Sequence, residues 1–242
     1  MSKALVFIYG IVAYLIGMGG LTFFILYIGG WDFMPLHIDS GVAGSLTTAL
    51  LVNTALIVLF GLHHTITARI GFKSKWQYIH PKAVERSTYV LLSGVLLAVI
   101  CLFWQPLEGT LWSFNNEIVR SALITLQIVG WVSLVLASFM INHFELFGLQ
   151  RVYFHFKDSQ EPAANFTDRG LYKIVRHPIQ LGIIIGMWST PTMSMTHLML
   201  ASTMTIYIFI GLYYEETDLI AFLGDEYRNY QMRVHKLLPF PK

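Results

Sequence analysis

Cysteine is almost absent from this chain of 242 residues, Cys101 being the single one. That excludes a disulfide framework and a cysteine-built metal site; lying within an apolar run, Cys101 reads as a small buried side chain. Charge is scarce as well. Asp, Glu, Lys and Arg make up 12% of residues against 55% hydrophobic ones, with a mean hydropathy of +0.58, a balance that excludes an ordinary water-soluble domain. The formal net charge of +2 is not gathered into a basic run or an aromatic-interleaved patch, so nucleic acid is excluded as a partner. Internal repeats and low-complexity tracts are missing too, and residues 1–242 are read as a single membrane domain.

What the chain has instead is long uncharged runs. Crossing a hydrocarbon core of about 30 Å takes about 20 apolar residues at about 1.5 Å of rise each. Residues 4–28, 42–68, 87–105 and 121–142 reach that length without a charged side chain. The run 179–214 is too long for one helix and holds Pro191, which predicts a span to about Thr190, a tight turn, and another span from about Met195 to Tyr214. The expectation is an all-α integral membrane protein with about six transmembrane helices in the lipid bilayer, the last two an antiparallel hairpin. Lysine and arginine accumulate in cytoplasmic loops. With this order of spans every Lys and Arg except Arg120 falls on one side, which predicts cytoplasmic N- and C-termini. The first run exceeds the about 7–15 apolar residues of a secretory signal, and is read as a retained anchor.

The longest cytoplasmic connection, residues 143–176, is too rich in Pro, Asn and Asp after Lys157 to continue as helix. Asn165-Phe166-Thr167 within it matches a glycosylation sequon, on a side where the match is fortuitous. Past the last span, Leu219, Phe222, Leu223, Tyr227, Tyr230 and Val234 recur at roughly helical spacing among charges. That pattern predicts a C-terminal interfacial amphipathic helix, lying on the membrane surface or packed on the cytoplasmic face.

Arg176, His177 and Pro178 stand together where the long uncharged run begins, and Glu215 and Glu216 stand where it ends. A hairpin brings these positions to one depth. Charges near span ends reach water or find partners. One reading is an ion pair that fastens the hairpin; the other is a ligand site, because a single pair does not call for an Arg-His-Pro run and two glutamates. Pro178 favours a helix start, whose free N–H groups attract an anion. With Arg176 beside it this start suits a carboxylate, while the glutamates suit a cation. S-adenosylmethionine carries both charges.

The order Arg176-His177-Pro178 with Gly182, the apolar hairpin, then Glu215, Glu216, Leu219, Gly224, Tyr227 and Tyr230 resembles the isoprenylcysteine carboxyl methyltransferase-like membrane superfamily over the last third of the chain. That resemblance implies a cofactor-binding part at about 142–236. It assigns S-adenosylmethionine contacts to Tyr172, His177, Pro178, Ile179, Gln180, Gly182 and Glu216, with Arg176 and Glu215 adjoining. Gln180 departs from the pattern, where the motif often has tyrosine. Over nearly the whole chain, Ile38–Gly41, His63–Lys73, Glu85–Ser93, Ile141–Leu149 and Ser189–Met193 look like the membrane-bound methanethiol S-methyltransferase family.

This closer resemblance implies methylation of methanethiol to dimethyl sulfide with S-adenosylmethionine, in a bacterial inner membrane, on a small apolar thiol entering from the lipid. Thiolate is the reactive form, so a proton acceptor is expected, and His64 and His143, at inner ends of spans, are the candidates. Asn142, Glu145, Ser87 and Tyr89 complete such a pocket or only join helices. Three alternatives stay open at this point. Another thiol or a lipid is the methyl acceptor; the chain is a haem-dependent isomerase of the NnrU type, with axial ligands among His63, His64, His143 and His177; or it is a transporter or binding protein.

Overall fold

A computed structural model describes residues 2–31, 33–69, 71–72, 81–162 and 166–238. Among the described residues its regular elements are helices, apart from one short two-stranded sheet. Five helices are long and apolar enough to cross a membrane, and the chain is an integral membrane protein of the all-α class. Two compact units are recognisable, Met1–Leu107 with Asn142–Ala164, and Glu108–Ile141 with Asn165–Lys242.

The first unit is built on α1 (Lys3–Gly29), α2 (Leu46–Ala68) and α3 (Glu85–Phe103), followed by the short α5 (His143–Leu146) and α6 (Leu149–Lys157). Between helices in lipid there is no hydrophobic driving force, so close approach of backbones carries the packing. Glycines supply that approach here. A Cβ on Gly20 would strike the Gly94 carbonyl, one on Gly94 would lie 2.5 Å from the Gly17 Cα, and Gly10 sits against the side chain of Val152. Helix α2 is tied by a buried polar bond instead. Asn53 Nδ2 donates to the Gln105 carbonyl (2.9 Å) and its Oδ1 accepts from the Gln105 N–H (2.8 Å), satisfying the backbone group freed where α3 ends.

The second unit contains α4 (Glu117–Ile141), α7 (Pro178–Trp188), α8 (Met195–Leu223) and α9 (Asp225–Arg233), with β1 (Thr110–Ser113) paired antiparallel to β2 (Thr192–Ser194). The hairpin expected from the 179–214 run is present as α7, β2 and α8, fastened by Trp188 Nε1 donating to Thr205 Oγ1 (2.9 Å). Its first arm is shorter than a full span. With 11 residues, α7 rises about 16 Å, roughly half a hydrocarbon core. The Ser-Thr-Pro-Thr-Met segment, expected as a tight turn, is drawn out into β2 by its register with β1, Trp112 opposite Met193. Helix α8 compensates in length. Its 29 residues run past the expected end at Tyr214 and carry Glu215 and Glu216 inside the helix.

The expected C-terminal amphipathic helix is present as α9, but it is not continuous with α8. Gly224, at φ 60°, breaks the pattern, since that backbone conformation favours glycine. The turn folds Tyr227, Tyr230 and Val234 back onto Phe166, Leu219, Ile220 and Leu223 as a small apolar cluster. Phe222 and Met232 are left pointing outward, 76% and 67% exposed.

Helix α7 meets α4 through small residues. A Cβ on Gly130 would come within 2.6 Å of the Gly186 N and 2.8 Å of the Gly182 carbonyl, both backbone atoms that cannot step aside. Gly130→Ala is therefore expected to lower stability by about 1–3 kcal/mol through overpacking. Gly211, with nothing within 4 Å of its Cβ position, makes the matched control: Gly211→Ala should leave stability unchanged or raise it by up to about 1 kcal/mol. Thermal unfolding of both variants in one detergent checks the opposite signs.

Candidate active site

The site is assembled where α7 begins and α8 ends, within the second unit. Gly170, at φ 57°, turns the chain into the single 3₁₀ turn Gly170–Lys173, and Tyr230 fixes it by donating its hydroxyl to the Tyr172 carbonyl (2.5 Å). Burial raises the Tyr172 hydroxyl pKa above its ordinary value and pushes that of Tyr230 up to about 12, so both keep their protons at neutral pH. The chain then extends. Val175 forms a parallel bridge with His235, the Arg176 N–H donates to the His235 carbonyl (2.8 Å), and the His177 N–H donates to the Lys236 carbonyl (3.2 Å). Pro178 opens α7 at its first position. The first helical turn therefore leaves the N–H groups of Ile179 and Gln180 without an intrahelical acceptor.

Glu216 is the centre of the polar cluster. Its Oε1 accepts from Arg176 Nε (2.8 Å) and lies 2.8 Å from Arg176 Nη2. The same oxygen is 3.1 Å from His177 Nε2 and accepts from the Tyr227 hydroxyl at 3.4 Å, whose own pKa burial raises. The other oxygen, Oε2, takes Lys236 Nζ at 3.0 Å. Arg176 and Glu216 are 10% and 12% exposed, and at that depth a carboxylate persists only if its charge is matched. Glu215 differs. It is 47% exposed, accepts from Gln180 Nε2 (3.1 Å), and lies 3.9 Å from His177 Nδ1. The buried imidazole of His177 thus stands between two glutamates, one on each ring nitrogen.

The structure brings together most of the residues the sequence pointed to, and gives some of them structural work. Arg176 is used within the protein, because beyond Glu216 its Nη1 donates to the carbonyls of Val234 (2.5 Å) and Gln231 (3.3 Å); the fastening ion pair is real, and it holds the C-terminal segment too. Gly182 faces α4, its Cβ position 2.6 Å from the Gly130 carbonyl, so it serves helix packing. Lys236 escaped the sequence reading, since it lies beyond the recognisable motif; the only sign of it was a basic residue shortly after the tyrosine-rich segment.

His64 and His143 belong to the first unit. The Tyr89 hydroxyl lies 2.7 Å from His64 Nε2, with Ser93 Oγ 3.2 Å from its Nδ1. His143 Nε2 meets the Tyr14 hydroxyl at 2.9 Å, and burial lowers the His143 pKa, keeping the ring neutral. Of the neighbouring polar residues, Asn142 caps α5 and bonds Gln150 (2.6 Å), and Ser87 donates to the Gly148 carbonyl (3.4 Å); these join local elements. The histidines weighed as haem ligands are divided between units, His63, His64 and His143 in the first and His177 in the second. Asn165 of the sequon, and Ile70 and Lys73 of the His63–Lys73 segment, lie outside the described residues.

A family model described as "Protein of unknown function (DUF1295)" matches residues 74–234. The methanethiol S-methyltransferase of Crocosphaera subtropica is 38% identical over 240 residues, covering 99% of this chain and 94% of the relative. That of Mycobacterium tuberculosis is 39% identical over 241 residues, covering 100% and 98%. That of Pseudomonas deceptionensis is 42% identical over 206 residues, covering 85% and 79%. No solved structure matches the chain.

Removing the guanidinium would leave Glu216 short of its principal partner and release two carbonyls of the C-terminal segment. Arg176→Met is expected to cost about 3 kcal/mol, at the lower end for a broken buried pair because Lys236 and His177 remain. Arg176→Lys should recover little, as an ammonium cannot span the carboxylate and the Val234 carbonyl together. Thermal unfolding, with proteolysis after Gly224 as a local probe, separates these outcomes from wild type.

Proposed function

The chain belongs to the DUF1295 family and, within it, to the methanethiol S-methyltransferases, and we propose that it transfers the methyl group of S-adenosylmethionine to methanethiol, releasing dimethyl sulfide. The observation that carries the reading is the convergence of His177, the start of α7, Glu215 and the Glu216 cluster at one point of the second unit. When bound, S-adenosylmethionine supplies a methyl on a positively charged sulfur, open to in-line attack by a thiolate.

The residues present fit such a molecule. The N–H groups of Ile179 and Gln180, on the first turn of α7 and so without an intrahelical acceptor, favour a carboxylate. Half-exposed Glu215 supplies the counter-charge for an ammonium or sulfonium group. His177 and Tyr172 are buried at 3% and 6% exposure and hold the geometry of that turn. The Arg176–Glu216 pair acts as the frame. It keeps the α7 start, the α8 end and the C-terminal segment in one place, so that orientation, worth up to about 7–11 kcal/mol when two reactants are held in reacting geometry, is available.

Methanethiol must lose a proton as it attacks. For that step we keep the two histidines of the first unit, His64 and His143, each hydrogen-bonded to a tyrosine hydroxyl and able to accept a proton in its neutral form. An integral membrane location suits both reactants, since a small apolar thiol partitions into lipid while a charged methyl donor arrives from water. The reading places the protein in a bacterial inner membrane with both termini in the cytoplasm, as the distribution of Lys and Arg supports.

The test is release of dimethyl sulfide into the headspace from purified protein given S-adenosylmethionine and methanethiol. Wild type is expected to produce it. Glu215→Gln, which removes one charge at a half-exposed position, should raise the KM for S-adenosylmethionine by about tenfold, the worth of one charge-assisted contact, with thermal stability unchanged. Absence of product from folded wild type would exclude methanethiol as the acceptor.

A further inference from the structure

His63, on α2 of the first unit, carries a ring nitrogen that the fold leaves unused. Its Nε2 is buried and has no hydrogen-bond partner among the described residues. A buried polar atom left in that state costs about 1–3 kcal/mol, and an ionisable side chain kept in a membrane helix at such a cost points to function. The neighbouring histidines are engaged. His64 has the Tyr89 hydroxyl 2.7 Å from Nε2 and Ser93 Oγ 3.2 Å from Nδ1, and His143 Nε2 has the Tyr14 hydroxyl at 2.9 Å. Before any of these nitrogens takes a proton from a substrate, a bond within the chain has to give way.

The turn of the helix puts His63 where a lipid-soluble molecule arrives. Leu59, Leu62 and Ile66 are exposed along α2, the side of that helix turned to lipid. His63 lies four residues after Leu59 and three before Ile66, so it borders the same stripe. His64, one residue on, is rotated by about 100° to where Tyr89 and Ser93 of α3 hold it. The His63 ring rests on α3 as well. The Tyr89 ring lies at 24° to it with centroids 6.1 Å apart, and the Tyr89 backbone is its polar neighbour. Tyr89 in turn is fixed by its hydroxyl on His64 and by the Arg86 guanidinium 4.9 Å over its ring, and Arg86 Nε donates to the Leu146 carbonyl at 2.7 Å. The imidazole is thus held by α3 on one side and bordered by lipid on the other.

We infer that His63 receives the thiol from the lipid and takes its proton at Nε2. The inference rests on the methyltransferase reading above and goes beyond it: the acceptor is a third histidine, and His64 has the supporting role of fixing Tyr89 against its ring. The thiol S–H donates to Nε2. As the sulfur forms its new bond to the methyl carbon, the bond from that carbon to the sulfonium sulfur breaks with its electron pair going to the departing S-adenosylhomocysteine. The S–H bond breaks with its pair left on the attacking sulfur and its proton on Nε2. The positive charge of the sulfonium therefore reappears on the imidazolium, which returns the proton to water.

The experiment measures kcat/KM for methanethiol and for trifluoroethanethiol, a more acidic thiol that needs less help to ionise, in full-length wild type, His63→Gln and His63→Ala. With methanethiol at neutral pH His63→Gln is expected to lose about 100-fold, the lower end of what a general base contributes. With trifluoroethanethiol the loss should be under about tenfold, and with methanethiol the rate should recover as pH rises through the thiol's own pKa of about 8.5 or above. Added imidazole is expected to restore part of the rate to His63→Ala. A residue that only braced the helices would lower both thiols alike at every pH. Equal losses for the two thiols overturn the inference, as does a wild-type rate from His63→Gln. Should His63→Gln fail to fold, His63→Ala decides by the same ratio. A wild type that methylates neither thiol overturns the methyltransferase reading as well, so the two failures are told apart.

Discussion

The charge of Glu216, sunk near the end of a long apolar helix, has to be matched, and much of the second unit is arranged around matching it. An ion placed there without partners would be expensive. Arg176 and His177 come from the start of α7, Tyr227 from α9 and Lys236 from the extended segment beyond it. Each of these elements is held by the same carboxylate, so satisfying one buried charge also fixes the relative positions of a helix start, a helix end and a C-terminal tail. Glu215, one residue earlier and half exposed, is left to face outward. Adjacent glutamates thus have different work because a helix turns about 100° per residue.

Packing elsewhere follows from the solvent. Where lipid surrounds a helix, burying leucine against leucine gains little, and close backbone contact at glycine becomes the means of association. Gly17, Gly20 and Gly94 do this between α1 and α3, and Gly130, Gly182 and Gly186 between α4 and α7. The same economy governs the short α7. A helix of about half a membrane's thickness leaves polar backbone at depth, which is tolerated only where other protein satisfies it. The β1–β2 pairing and the Trp112 side chain, donating to the Thr190 carbonyl at 3.1 Å, provide that satisfaction.

Seen chemically, the site supplies more positioning than reactivity. Glu216 is not available as a strong base, since its carboxylate is surrounded by donors. In the proposed reading, what the cluster offers is a fixed helix start and charges of both signs for a zwitterionic methyl donor. That is the provision expected for transfer of an already activated methyl group, where bringing two reactants into line does most of the work.

Much of this was legible in the residues. Long uncharged runs specify apolar helices because the bilayer demands them, and the pairing of Arg176-His177-Pro178 with Glu215-Glu216 across a hairpin follows from two charged ends flanking one apolar stretch. Other features were not legible, because they depend on partners distant in sequence. Local pattern read residues 189–194 as a turn, yet register with Thr110–Ser113 draws part of them into a strand. Periodicity read one amphipathic helix where the backbone of Gly224 makes two. That Gly182 packs against the Gly130 backbone of α4 could not be read from either segment alone. For Lys236 the local sequence showed only a basic residue shortly after the tyrosine-rich segment, not its partner Glu216. The sequence by itself determined which segments enter the membrane and which charges stand at their ends, since hydrophobicity and charge are properties of single residues; only the tertiary structure decided which of those charges are buried against each other and which stay half exposed, since that depends on distances no single segment contains.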